Sequence, residues 1–314
     1  MIPKIIHQIW EGKTEPLPKL PSRYIDNSVG TDSLYLDTIN EDERSKRFLS
    51  DILGVNHQGE NFPKFLLKSV HLIKKLAILD DFSISYSNGE WICHIEGLDF
   101  VLNCYEELFI LVEIFIEGTY NVEINQPFTF IDIGMNVGVA SLFFAKKIEC
   151  KRVVAFEPFH PTLSFARKNL ERNNIAQKIK VIETGLGYPA RTVKINYSEE
   201  IKGRMGINCA TSYIREKTNV REEKLHIMDV FEALNDITDE KLILKIDCEG
   251  SEYEILDRLS DTGLLTRFDI IMIEWHIKGS ASLKKPLLDN NFKIVSMDKH
   301  DYNTGMIYAF KTEN

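Results

Sequence analysis

Two short runs of the chain concentrate groups that move protons: Asp247-Cys248-Glu249-Gly250-Ser251-Glu252 and Glu274-Trp275-His276. An imidazole titrates near neutrality and serves as a general base when a carboxylate holds it in place. If His276 closes a strand, alternation sends Glu274 to the same face and Trp275 to the other. Asp247, Glu249, Glu274 and His276 are also ligand types for a divalent metal, which is considered but not favoured because nothing in their spacing requires one. Glu252 and Glu249 equally suit the positive end of a helix beginning near Ser251.

Two other runs suit a nucleoside. In Asp132-Ile-Gly134-Met-Asn136-Val-Gly138 the glycines permit a tight turn and a close approach at a helix start, while Asp132 and Asn136 offer polar groups to a ligand. Glu157 follows at the end of the next apolar run, where a carboxylate can accept both hydroxyls of a ribose. A dinucleotide fingerprint would need glycine where Asn136 stands, to let backbone approach a pyrophosphate. The side chain there favours a ligand without one and leaves an NAD-dependent oxidoreductase as the alternative on the same frame.

The elements that must position these residues alternate from about residue 127 onward. FTFIDIG (128–134), RVVAFEP (152–158), IKVIETG (179–185), LILKIDC (242–248) and DIIMIEWH (269–276) read as buried strands. Helices are expected over 139–147 and from Pro161 to Asn173-Asn174. This pattern predicts a doubly wound, parallel α/β sheet with ligands beyond the carboxyl ends of its strands. FKIVSMD (292–298) and GMIYAF (305–310) are too close for a crossover helix and must pair as a terminal antiparallel hairpin. Upstream, Asn40 and Glu43 form a capping-box-like start for a helix to about Leu53, and 64–79 has helical periodicity. Asn88-Gly89 marks a hairpin within 82–103, and a helix covers 105–117. Residues 11–38 read as an irregular arm. The expected division is a small α+β region over 1–104 and a ligand-binding α/β domain over 105–314.

FIDIGMNVG (130–138), AFEP (155–158), KIDCEGSEYEIL (245–256) and IEWH (273–276), in this order and spacing, resemble the FkbM family of S-adenosylmethionine-dependent O-methyltransferases. The resemblance covers roughly 105–310 and implies a Rossmann-like class I methyltransferase fold, whose mark is a reversed last strand. It implies that Asp132, Gly134, Asn136 and Gly138 surround the methionine part of the cofactor and that Glu157 holds the ribose, with Asp247, last on its strand, beside the sulfonium. Thr184 to Leu186 would approach the adenine. His276 would take the proton of an acceptor hydroxyl, oriented by Glu274 or Asp247. Glu249, with Asn208, Ser212 and Tyr213 of the loop KGRMGINCATSY (202–213), would contact the acceptor.

Composition bounds the partners. The 314 residues carry 38 Lys and Arg against 47 Asp and Glu, a net charge of −9, with no basic run for nucleic acid. The five cysteines never fall at zinc-knuckle or redox-pair spacing, and no apolar run reaches a membrane span, so the chain is expected in the cytoplasm. The opening IPKIIHQIWEG (2–12) is similar to the first strand of DXD-type sugar transferases, which hints at polysaccharide biosynthesis and a glycan or small-molecule acceptor. A binding-only module in such a complex is the remaining alternative.

Overall fold

The computed structural model describes residues 36–54, 62–206, 220–239, 241–299 and 304–312. The opening IPKIIHQIWEG and the loop residues Asn208, Ser212 and Tyr213 lie outside the described residues. So does the arm expected over 11–38, except for its last three positions, which already belong to a helix. Two compact units divide the chain, 1–97 with 102–123, and 98–101 with 124–314.

In the first unit, helix α1 spans Leu36–Leu53. It starts one turn before Asn40, because no Gly or Pro interrupts the preceding residues, so Asn40 is not its cap. The helical period over 64–79 is realised as two pieces, α2 (Lys64–Lys68) and α3 (Val70–Leu76). The break is at Ser69, whose hydroxyl donates to Phe65 O at 2.7 Å and competes with the regular ladder. Strands β1 (Ser83–Ser87) and β2 (Glu90–Ile95) pair antiparallel about Asn88-Gly89, both with the positive φ a two-residue turn demands. Helix α4 (Tyr105–Leu111) runs on into a single π-helical turn over Val112–Ile116.

The second unit carries the chemistry-bearing runs. Residues 98–101 of strand β3 (Leu98–Leu102) belong to it. Then follow β4 (Phe128–Ile133), α5 (Val139–Lys146), β5 (Cys150–Phe156), α6 (His160–Arg172) and β6 (Ile179–Ile182). The sequence-predicted strand 179–185 breaks after β6, and Gly185–Gly187 (β7) joins a separate three-stranded sheet with β8 (Arg191–Tyr197) and β9 (Arg221–Asp229). No strand is predicted over 191–197 or 221–229, although Val193, Ile195 and Tyr197, and then Leu225 and Ile227, alternate as on half-buried strands. The chain continues through α7 (Val230–Leu234), β10 (Leu242–Ile246), α8 (Glu252–Asp261), β11 (Ile270–His276), α9 (Ala281–Asp289), β12 (Phe292–Lys299) and β13 (Thr304–Lys311).

The main sheet has the order β12-β13-β11-β10-β4-β5-β6, with β11, β10, β4, β5 and β6 parallel and β13 antiparallel to both neighbours. Every residue of β4 and β10 is buried, as expected for central strands covered on both faces. The terminal hairpin is the reversed element that the sequence required. After β6 the chain returns to the far side of β4, so the strand order reverses between β4 and β10 and a crevice opens above their carboxyl ends. Among the described residues no helix is long and apolar enough to cross a membrane.

Candidate active site

The crevice occupies about 650 Å³, part of it open to solvent, and its wall includes Gly134, Asn136, Glu157, Gly185, Lys202, Asp247 and Glu249. Its floor depends on glycine. A Cβ on Gly134, whose φ is +85°, would stand 1.7 Å from Asp247 O. The turn after β4 and the end of β10 touch through backbone, and any side chain would force them apart.

Asp132 lies beneath this floor, fully buried. Its Oδ2 accepts from Ser141 Oγ at 2.6 Å, and its Oδ1 is 3.0 Å from Lys245 Nζ. Lys245 also donates to Gly134 O at 2.8 Å and stands 3.4 Å from Asp247 Oδ2. Burial works against the ammonium, but Asp132 and Asp247 outweigh it and hold its pKa above the ordinary lysine value. Asp132 is thus a brace joining β4, α5 and β10. Its ammonium partner was missed in the sequence because a lysine inside an apolar strand run carries no local sign of what it meets.

Glu157 sits just past β5 and is 5% exposed. Its Oε2 accepts Asn136 N–H at 2.9 Å and its Oε1 accepts Phe159 N–H at 3.0 Å, which fixes the carboxylate and leaves each oxygen further acceptor capacity. Burial pushes its pKa up to about 7, although both backbone donors and Lys245 pull the other way. Asn136, held at φ 51°, has its Oδ1 buried without a hydrogen-bond partner among the described residues. Gly138 starts α5 at φ 87°. Thr184 uses its hydroxyl on His226 O at 2.9 Å, so it contributes shape and backbone to the crevice. Leu186, with Phe159, Leu225 and Ile227, makes this end apolar. Lys202, another buried ammonium unread in the sequence, lies 3.9 Å from the Phe165 ring centre.

At the other end, the turn after β10 and the last residue of β11 meet. Glu252 is fully buried at the start of α8; it accepts backbone N–H from Cys248 (3.2 Å) and Gly250 (2.9 Å), and His276 Nδ1 lies 2.9 Å from its Oε1. The carboxylate bonded to the ring is therefore Glu252, whereas the sequence pointed to Glu274 or Asp247. Glu274 shares its face of β11 with His276 by alternation, and Trp275 turns into the core as expected. Glu249, at φ 54°, brings Oε1 to 3.6 Å from His276 Nε2. Tyr253 Oη lies 2.8 Å from His276 O and pins the end of the strand. Desolvation lowers the pKa of His276, but the hydrogen bond to Glu252 and the charges of Glu249, Glu252 and Asp247 raise it to about 10.

A parallel sheet with one reversed strand next to its edge strand, an acid after the second parallel strand and a polar corner at the switch point define a Rossmann-like methyltransferase. A sequence profile described as the methyltransferase FkbM domain matches residues 132–302, more than half of the chain. The chain belongs to that family, and is an S-adenosylmethionine-dependent methyltransferase. "Methyltransferase 1" of Beauveria bassiana is 25% identical over 251 residues, 74% of this chain and 93% of the relative. "Methyltransferase sdnD" of Sordaria araneosa is 23% identical over 234 residues, 65% of this chain and 88% of the relative. Among solved structures, the FkbM methyltransferase of Methylobacillus flagellatus KT is 14% identical with a TM-score of 0.42, covering 87% of this chain and 60% of that one.

Proposed function

We propose that the enzyme transfers a methyl group to a hydroxyl oxygen of a saccharide or related small metabolite. The observation that carries the reading is the placement of a fixed, buried carboxylate, Glu157, in one crevice with the polar corner formed by Asp247 and Glu249. S-adenosylmethionine supplies an electrophilic methyl carbon on a sulfonium. The residues present fit it: Asn136 Oδ1 is a buried acceptor in want of a donor, and both Glu157 oxygens have room for ribose hydroxyls.

Glu157 would hold the ribose. Gly134, Asn136, Gly138 and Asp247 would surround the methionine end, with Asp132 bracing them from below. Thr184, Gly185 and Leu186 would line the adenine end. The acceptor hydroxyl would meet Asp247, Glu249 and the Nε2 edge of His276; its proton would leave there once the imidazole, held by Glu252, is in its neutral form, which the surrounding carboxylates disfavour below about pH 10. Glu274, two residues earlier on β11, would share that face and help to orient the imidazole. Asn208, Ser212 and Tyr213 stay proposed acceptor contacts, in a loop that would exclude water from the site. The domain division near 104, a cytoplasmic location and a place in glycan synthesis belong to the same proposal.

Isothermal titration with S-adenosylhomocysteine and with NAD tests the cofactor, since only the first should bind. Mass spectrometry of a glycan panel incubated with enzyme and S-adenosylmethionine tests the acceptor, through a gain of one methyl. Cofactor binding with no methylated product would favour a binding-only module.

A further inference from the structure

We propose that the corner where β10 and β11 end binds one divalent cation through Asp247, Glu249 and Nε2 of His276. One ligand atom from each of the three lies within 4.8 Å of the others. The 3.6 Å between His276 Nε2 and Glu249 Oε1 is too long for a hydrogen bond. It is close to the spacing of two donors that share an ion, which at metal–ligand distances of about 2.1 Å stand about 3.0 to 3.4 Å apart.

A second observation is independent of that cluster. His276 is 5% exposed, and the hydrogen bond of its ring among the described residues is made through Nδ1, to Glu252. A carboxylate behind one imidazole nitrogen fixes the ring and leaves the other nitrogen to a metal, which is how ligating histidines are held. Here the remaining nitrogen stands 3.6 Å from Glu249 Oε1, with a carboxylate oxygen of Asp247 in the same cluster. Glu274 stands outside the set.

Carboxylate oxygens with a single imidazole favour a hard ion such as Mg²⁺ or Mn²⁺, with its open positions facing the crevice. The inference deepens the proposed transfer and rests on it for the ion's use. The acceptor oxygen would take an open position, and the ion would draw electron density from it. In the transfer the S–CH₃ bond breaks with its electron pair left on sulfur. The O–CH₃ bond forms, and, because the ion would take the Nε2 lone pair that otherwise accepts it, the hydroxyl proton passes to water in the open crevice. The ion is unchanged.

The test is titration of Mn²⁺ into the full chain, followed by electron paramagnetic resonance, with S-adenosylhomocysteine binding measured in parallel. One ion per chain is expected, with a nitrogen modulation in its pulsed spectrum that His276→Ala removes. Asp247→Asn and Glu249→Gln should each weaken binding by about 10- to 100-fold, and Glu252→Gln by about 10-fold. Asp289→Asn, on an exposed face of α9, should bind like the unchanged protein. Because Glu249 begins no element and reaches into the crevice, its variant keeps the test open if His276→Ala does not fold. Absence of bound Mn²⁺ at millimolar concentration, or binding untouched by the Asp247 and Glu249 changes, overturns the site. If the homocysteine nucleoside still binds in that case, only the ion is lost; if it does not bind either, the transferase reading falls as well.

Discussion

His276 Nδ1 lies 2.9 Å from Oε1 of Glu252, a fully buried carboxylate that also gathers two backbone amides of the turn after β10. One side chain thus shapes the loop that carries Asp247 and Glu249 and aims the imidazole at them. The polar corner is a single unit, and its histidine is not among the groups proposed to hold the cofactor, so disturbing His276 should change chemistry more than cofactor affinity.

His276→Ala is accordingly expected to cut turnover by about 10²-fold or more while S-adenosylhomocysteine binds within about twofold of the unchanged protein. Steady-state kinetics beside calorimetry measure both. Unchanged turnover would remove His276 from the mechanism.

Glu157→Ala should abolish measurable cofactor binding, because the ribose loses both acceptors. The pH dependence of binding follows from its raised pKa of about 7. In the free protein the fold favours the protonated carboxyl, so the stability this group contributes is fully present below its ordinary value near 4.5 and is lost as pH rises through about 7. Ribose hydroxyls need the ionised form, and binding pulls the other way. Affinity should rise with pH up to about 7 and level off above, with protons released on binding at the lower end. Titrations in buffers of different ionisation enthalpy read this directly, and a flat affinity across that range would remove Glu157 from the ribose.

Lys245→Met leaves Asp132 buried without its cation, and breaking a buried pair in this way costs about 3–5 kcal/mol. Urea unfolding should show that loss. Asp132→Asn in the same protein should recover part of it, since the orphaned charge is then gone.

Gly134→Ala would place a methyl group 1.7 Å from Asp247 O in a backbone conformation alanine resists. The overlap is with backbone, which no side-chain rotation relieves. The variant should lose cofactor binding, and its melting temperature should fall relative to Gly263→Ala, where the added carbon meets nothing within 4 Å and only the φ of +72° is strained. Equal losses at both sites would mean that β4 and β10 need no such closeness.

The local order of this sequence determines much of the molecule. Buried runs such as Leu242–Ile246, punctuated by Gly and by acids at their ends, can only be strands of a covered parallel sheet, and the short link from β12 to β13 permits nothing but an antiparallel hairpin. Asp132, Gly134, Asn136, Glu157, Asp247 and His276 were legible because each lies at a strand's carboxyl end. Which of them touch was decided by tertiary structure alone. Lys245 reaches Asp132, 113 positions away in sequence, only through the register of β10 on β4, which pairs those two residues directly. Glu252, not Glu274, takes the hydrogen bond of His276 because α8 begins against the end of β11, and a strand's alternation says nothing about what a neighbouring helix brings over its edge. In the β7–β9–β8 sheet the two longer strands carry an alternating pattern, Val193, Ile195 and Tyr197 on one and Leu225 and Ile227 on the other, whereas Gly185–Gly187 has too little pattern of its own and is a strand only through its pairing with β9.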